Sequence, residues 1–176
     1  MVETKNLARV EAGRRNHMNG TTVEKIVKES CEIYKKAGIA FIEKNPEPVQ
    51  NLGPVKQQGG YYLMRYAEKA KPDFEGVLKG GRAILFDVKS TTQPVIKSAV
   101  VTERQALCLR QYEKLGAISA VLVCMNLETF YMVPWRVWES MKTLYGHMHM
   151  TKEELEPYHV IYEDMKQFIH FLNPFF

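Results

Sequence analysis

Apolar residues recur along the chain with two different periods, and these periods separate predicted helices from predicted strands. Residues 21–37 carry apolar side chains at helical spacing, and Gly38 ends that helix. A second helix is predicted from Thr102 to about Leu115, where Gly116 ends it. Strands are predicted where short apolar runs lie between turn residues. They cover residues 39–42, 74–78, 83–88, 117–125 and 129–133.

The order of these elements predicts the fold class. Helix, three strands, helix and two strands favour an α/β fold with a mixed central β-sheet flanked by helices. The 176 residues suit one domain with a real hydrophobic core. We expect a basic, flexible arm over residues 1–20 and a single domain over residues 21–176. Within the domain, residues 45–71 are rich in proline and glycine and form an inserted excursion, with a helix at Tyr61–Lys69. The chain after Trp135 is predicted to be mainly helical.

Composition narrows the classes of protein without selecting one. An apolar fraction of 45% with 25% charged residues is ordinary globular composition. A formal charge of +4 permits nucleic-acid binding but does not require it. The three cysteines are widely spaced, which favours reduced thiols in a cytoplasmic protein. No apolar run has membrane-spanning length, and no phosphate-binding glycine loop indicates a nucleotide cofactor.

The candidate chemistry lies in a predicted hairpin. Strands 74–78 and 83–88 are joined by the turn residues 79–81, Lys-Gly-Gly. Asp87 and Lys89 emerge on one face of their strand because successive side chains alternate in direction. If Asp73 lies across the hairpin, two carboxylates and one ammonium group converge. Carboxylate oxygens suit Mg²⁺, and the lysine can stabilise negative charge that develops on a phosphate.

The aspartate-x-lysine pattern alone has little specificity. Asp164-Met165-Lys166 repeats it elsewhere in the chain without a Pro-Asp pair before it. The alternative for the hairpin is a solvated surface whose ion pairs contribute under about 1 kcal/mol each. The pairing of Pro72-Asp73 with Asp87-Val88-Lys89 favours the nuclease interpretation.

These paired motifs and the element order resemble the PD-(D/E)xK nuclease superfamily, and within it the RecU family of Holliday junction resolvases. The features that carry the resemblance are N-G-T-T-V-E at the first helix, the proline-rich excursion, P-D-F-x-G-V-x-K-G-G, F-D-V-K-S-T and a glutamine on the next helix, Gln105. They cover about residues 19–138. Two departures stand out: the family more often has glutamate where Asp87 stands, and the hairpin turn is one residue longer. The shorter aspartate could change the metal preference.

The resemblance implies the fold and the reaction. The fold would be a restriction-endonuclease-like core with an inserted stalk, and the reaction would be phosphodiester hydrolysis with Mg²⁺, with Mn²⁺ as the alternative ion. By resemblance, Asp73, Asp87 and the carbonyl of Val88 would bind the metal. Lys89 would contact the scissile phosphate or the attacking water.

Two further residues match accessory positions of the family. Gln105 would orient the nucleophile or the lysine; the alternative is an ordinary surface glutamine. Glu24 would be an acid that completes or tunes the metal site. Its alternative is structural, because Thr21-Thr22-Val23-Glu24 has the pattern of a helix capping box.

The substrate implied by the resemblance is a four-way DNA junction, entered by the excursion at residues 45–71. Basic side chains would neutralise phosphates, and tyrosines would stack on unpaired bases. The candidate DNA-binding residues are Lys56, Arg65, Lys69, Lys71, Tyr62 and Tyr66 in the excursion, with Arg14 and Arg15 in the arm. An ordinary surface loop and a merely solubilising arm are the alternatives. Two symmetric cuts imply a homodimer.

Two other functions fit the same sequence features. One is a nuclease of the same core that cuts linear duplex DNA without regard to branching. The other is a non-catalytic accessory protein of recombination that binds branched DNA and leaves every strand intact. Cleavage of matched branched and linear substrates separates the three.

Overall fold

A mixed β-sheet of six strands forms the centre of the protein. The computed structural model describes residues 20–46, 49–54, 62–66 and 71–175, and for 49–54 and 62–66 it describes the backbone alone. The strands are β1 Ala40–Lys44, β2 Val49–Pro54, β3 Tyr62–Tyr66, β4 Phe74–Leu78, β5 Ala83–Thr91, β6 Val95–Lys97, β7 Ile118–Met125, β8 Thr129–Pro134, β9 His149–Thr151, β10 His159–Val160, β11 Tyr162–Glu163 and β12 Phe168–Ile169. The helices are α1 at residues 20–36, α2 Glu103–Lys114, α3 Trp135–Glu139, α4 Met141–Tyr145 and α5 Lys152–Leu155.

The central sheet has the strand order β1-β4-β5-β7-β8-β10. β5 and β7 are parallel, whereas the other neighbouring strands of this sheet pair antiparallel. A parallel pair needs a crossover connection, which β6 and α2 provide here. The predicted α/β class with a mixed sheet flanked by helices is confirmed.

Helix α1 covers one face of the sheet through the apolar stripe that the sequence predicts. Its buried apolar side chains are Val23, Ile26, Val27, Cys31 and Tyr34. The turn that follows the helix contains Gly38, which has φ of 65°, a conformation that glycine adopts without steric cost. The predicted capping box at its start is wrong, because the chain is already helical at residue 20.

The β4–β5 hairpin has the geometry that its turn residues favour. Gly80 and Gly81 have φ of 94° and 90°, which allows the tight reversal between the strands. The amide of Gly81 donates to the carbonyl of Leu78 at 2.9 Å. The register pairs Phe74 with Phe86. Asp73 precedes Phe74 and Asp87 follows Phe86, so the two aspartates occupy the next position along the hairpin, on opposite strands.

The sheet separates two hydrophobic clusters. One cluster lies between the sheet, α1 and the C-terminal segment, and the other lies between the opposite face and helices α2 to α4. β7 is buried along its whole length, since both of its faces contact these clusters. The same alternation puts Val88 in the first cluster and Leu85 in the second, so Asp87 and Lys89 face α2.

The excursion between β1 and β4 contains strands β2 and β3, which pair antiparallel as a separate two-stranded sheet. The predicted helix at Tyr61–Lys69 is therefore wrong over Tyr62–Tyr66, which form β3. Tyrosine favours strands, and that propensity was the available signal.

The segment after Trp135 is mixed rather than mainly helical, since short helices alternate with strands β9 to β12. Its last part packs on α1. The amide of Ile169 donates to Ser30 Oγ at 2.9 Å, and the amide of Leu172 donates to Tyr34 Oη at 3.3 Å. The rings of Phe168 and Phe171 each lie 5.1 Å from that of Tyr34. These two phenylalanines thus belong to the packing of the first hydrophobic cluster. Within the described residues, no helix is both long and apolar enough to cross a membrane.

Candidate active site

Asp73 and Asp87 meet at the end of the β4–β5 hairpin that is opposite its turn. Asp73 is 6% exposed and Asp87 is fully buried. The Oδ2 atom of Asp73 accepts a hydrogen bond from the backbone N–H of Val88 at 3.0 Å. The hairpin register and this bond bring the two carboxylates together, as the sequence predicted from strand alternation.

Lys89 lies beside Asp87 on the same face of β5. Its Nζ is 2.5 Å from Asp87 Oδ2, and its side chain is 21% exposed. Among the described residues, Asp87 Oδ2 accepts no hydrogen bond of good angular geometry. The contact with Lys89 is therefore an ion pair, and Asp87 Oδ2 can still accept a hydrogen bond.

Gln105, on the first turn of α2, contacts Asp87 from above the sheet. Its Nε2 donates to Asp87 Oδ1 at 2.6 Å. Its Oε1 accepts from the backbone N–H of Thr102 at 3.0 Å, which fixes the orientation of the amide. Gln105 is 3% exposed, so the surface alternative does not describe it. The contact is with the carboxylate rather than with Lys89.

The buried surroundings of Asp87 raise its pKa. Burial is the main cause, the neighbouring charge of Asp73 adds to it, and Lys89 partly offsets both; the pKa of Asp87 rises to about 7. Two acids and one lysine leave one net negative charge in a place with little water when both acids ionise. A bound cation would restore the ionised form of Asp87.

The donor set fits a hard divalent cation. Asp73 and Asp87 supply oxygen ligands, and Mg²⁺ typically takes only one or two carboxylates and fills its other positions with water and phosphate. Within the described residues, no group of three or more histidine, cysteine, aspartate or glutamate side chains could hold a metal ion. Val88 enters the site through its N–H; its carbonyl as a metal ligand stays a prediction.

Glu24 forms an ion pair with Lys44, the last residue of β1. Both side chains are largely buried, at 24% and 18% exposure. Lys44 pairs in register with Phe74, the residue after Asp73, so this ion pair lies beside the aspartate strand. The sequence interpretation missed Lys44. Its only signal is a position two residues after a predicted strand, which does not reveal a partner on a helix 20 residues earlier.

The structure describes one of the predicted DNA-binding side chains. Lys71 is exposed and forms an ion pair with Glu75 at 3.3 Å, which raises the pKa of Lys71. Arg14, Arg15, Lys56 and Lys69 lie outside the described residues. Tyr62, Arg65 and Tyr66 lie on β3, where the backbone alone is described. These assignments stay predictions.

The chain is similar to recombination proteins of one family. A family model described as RecU, Recombination protein U, matches residues 18–175. The Holliday junction resolvase RecU of Bacillus pumilus (strain SAFR-032) is 31% identical over 154 residues, which cover 82% of this chain and 73% of that protein. The Holliday junction resolvase RecU of Lactobacillus delbrueckii subsp. bulgaricus (strain ATCC BAA-365 / Lb-18) is 28% identical over 148 residues, which cover 78% and 69%.

Among solved structures, Hjc of Archaeoglobus fulgidus, a Holliday junction resolvase from an archaeal hyperthermophile, matches with a TM-score of 0.48 and 10% sequence identity. The match covers 76% of this chain and 92% of that one.

Proposed function

This chain belongs to the RecU family, and we propose on that basis, and from the geometry of its paired aspartates, that it is a metal-dependent endonuclease resolving four-way DNA junctions. The observation that carries the nuclease part is the convergence of Asp73, Asp87 and Lys89 at one end of the hairpin. The names of its relatives support the junction as substrate.

In the proposed reaction, Asp73 and Asp87 would hold Mg²⁺ or Mn²⁺, and the ion would supply Lewis-acid chemistry for the hydrolysis of the phosphodiester. Lys89, whose Nζ lies beside Asp87, would place its ammonium group against negative charge that develops on the phosphate. Gln105 keeps Asp87 in one orientation through the bond at 2.6 Å. Glu24 and Lys44 brace the neighbouring strand end and act as the accessory pair. The chain needs no covalent nucleophile for this hydrolysis.

The excursion between β1 and β4 is the proposed contact with the branch point, because it leaves the body directly beside Asp73. Lys56, Arg65, Lys69 and Lys71 would bind phosphates there, and Tyr62 and Tyr66 would stack on bases. Arg14 and Arg15 would hold the flanking duplex.

Three further features belong to the proposal. Two symmetric cuts require two sites at a fixed spacing, which a homodimer supplies. The cytoplasm is the proposed location, since Cys31, Cys108 and Cys124 are all unpaired, as expected of a reducing compartment. Mg²⁺ is the proposed physiological ion because the ligands are hard oxygens.

The test is cleavage of a four-way junction and of a linear duplex with the same arm sequences, in Mg²⁺ and in Mn²⁺. We expect symmetric nicks in the junction only, abolished by Asp73→Asn and by Lys89→Ala. Lys79→Ala, on the exposed hairpin turn, is the matched control and should cut normally. Equal cutting of both substrates would favour a duplex endonuclease, and binding of the junction without cleavage would favour a non-catalytic accessory protein.

A further inference from the structure

Asn45 closes the place where the excursion leaves and rejoins the body. It follows the last residue of β1, and Pro72 and Asp73 precede β4. The side-chain Nδ2 of Asn45 donates to the carbonyl of Pro72 at 2.8 Å. The backbone N–H of Asn45 donates to the carbonyl of Asp73, also at 2.8 Å. One residue thus holds both carbonyls of the Pro-Asp pair.

These bonds bear on the carboxylate because they fix the peptide from which it extends. The side chain of Asp73 is held from β5 by the N–H of Val88. Its backbone is held from β1 by Asn45. Pro46 follows Asn45 and disfavours helical backbone angles for Asn45. Asn45 therefore stays extended, as its backbone hydrogen bond to Asp73 requires. Asp73 is therefore supported from both neighbouring strands, and Asn45 provides support on the side of the excursion.

We propose that Asn45 is a positioning residue that keeps Asp73 in place for the metal while the excursion engages branched DNA. This inference rests on the proposed function. The two strands of the excursion attach to the body at Asn45 and at Lys71-Pro72. A force on the excursion is transmitted first to this pair of attachments. The amide of Asn45 joins them across 27 residues of chain, so it resists their separation. Without this amide, the attachment at the end of the β1–β4 strand pair depends on the backbone hydrogen bond from Asn45 to Asp73.

The variant that isolates this role is Asn45→Ala. It removes the bond to Pro72 and leaves the backbone bond to Asp73, with no change of charge near the metal ligands. Asn45→Ser retains a shorter donor and is expected to fall between alanine and the native residue. Asn173→Ala replaces an exposed asparagine in the C-terminal segment and serves as the matched control.

The primary measurement is Mn²⁺ affinity by isothermal titration calorimetry without DNA. We expect Asn45→Ala to raise the dissociation constant about tenfold, as loss of a supporting hydrogen bond commonly does at metal sites. Junction affinity in EDTA should stay within about twofold, because a positioning residue does not touch DNA. Junction cleavage at limiting Mn²⁺ should fall in parallel with the loss of metal affinity. Urea denaturation then checks that each variant is folded.

Two results would overturn the inference. Unchanged Mn²⁺ affinity in folded Asn45→Ala would mean that the amide does not position Asp73. Lost junction affinity with unchanged Mn²⁺ affinity would mean that Asn45 contacts DNA instead. If alanine does not fold, the serine variant decides by the same criteria. If the native protein binds Mn²⁺ but cuts no junction, the proposed function fails, while calorimetry still decides the role of Asn45.

Discussion

Gln105 and Asp87 are joined by a hydrogen bond of 2.6 Å that links the first turn of α2 to the centre of β5. The same glutamine accepts the bond from Thr102 that caps the helix. Helix capping and orientation of the buried carboxylate therefore depend on one side chain. Its two ends act separately, since the oxygen serves the cap and the nitrogen serves the aspartate.

Substitution of Gln105 should impair cleavage more than stability. Gln105→Glu keeps an oxygen for the N–H of Thr102 but replaces the donor to Asp87 with a third acidic group in the site. We expect junction cleavage to fall about 10- to 100-fold, the usual range for residues that support metal ligands, and at least as far as in Gln105→Ala. Single-turnover cleavage at several Mg²⁺ concentrations measures the effect.

A second capping box in the chain provides the control for Gln105. Thr151 and Glu154 form the same motif at α5, where neither side chain bonds to Asp73 or Asp87 among the contacts of the described residues. Glu154→Ala should destabilise the protein by about 1 kcal/mol, as loss of a cap does, and leave cleavage unchanged. If Glu154→Ala and Gln105→Ala lowered the cleavage rate equally, a general loss of helix stability would explain both.

The raised pKa of Asp87 predicts how metal-free stability depends on pH. Asp87 titrates at about 7 in the folded protein, whereas an unfolded aspartate titrates at about 3.9. Between these values the folded state binds more protons, so the free energy of unfolding falls as the pH rises through that window. The slope from this group has an upper limit of about 1.4 kcal/mol per pH unit.

Asp87→Asn tests this pH dependence because it cannot ionise and still accepts from Gln105. In urea denaturation with EDTA, the native protein should lose unfolding free energy relative to the variant as the pH rises from about 4 to 7. Added Mg²⁺ should stabilise the native protein above pH 7 and have little effect on the variant. Parallel curves in EDTA would contradict the buried titration.

The parts of the fold that depend on local pattern could be predicted from the sequence. The stripe of α1, the buried run of β7 and the cap at Thr102 all follow from spacing and residue type. The convergence of Asp73 and Asp87 followed from the hairpin, because turn position and side-chain alternation fix its register. These features need no knowledge of distant residues.

The parts that depend on tertiary contacts could not be predicted. Lys44 lacks a local motif that indicates Glu24, and Asn45 precedes a proline in a segment that looks like an ordinary loop. Both acquire their partners only when α1 and β4 pack against β1. The start of α1 failed for a related reason, since a capping pattern at Thr21-Glu24 does not exclude an earlier helix start.

Glu24 should matter to cleavage through Lys44 rather than through the helix end. Glu24→Gln removes the charge that pairs with Lys44 in a largely buried position, where an unpaired charge is costly. We expect junction cleavage to fall about tenfold at limiting Mg²⁺. Glu32→Gln, on the exposed side of the same helix, removes only a contact of 3.9 Å with Lys35 and should cut normally. Equal rates for the two variants would remove Glu24 from the site.

Gly76 is predicted to be essential to the attachment of β1, because a Cβ there would lie 2.1 Å from the carbonyl oxygen of Phe41 and 2.6 Å from the Cα of Ile42. Both are backbone atoms, so β1 must move away from β4. Gly76→Ala should lower the free energy of unfolding by roughly 3 kcal/mol or more, measured in urea, and should impair cleavage because Asn45 continues β1. Gly20→Ala, with nothing within 4 Å of the added Cβ, is the control and should be neutral or slightly stabilising within α1. A Gly76→Ala protein as stable as Gly20→Ala would mean that β1 does not approach β4 this closely.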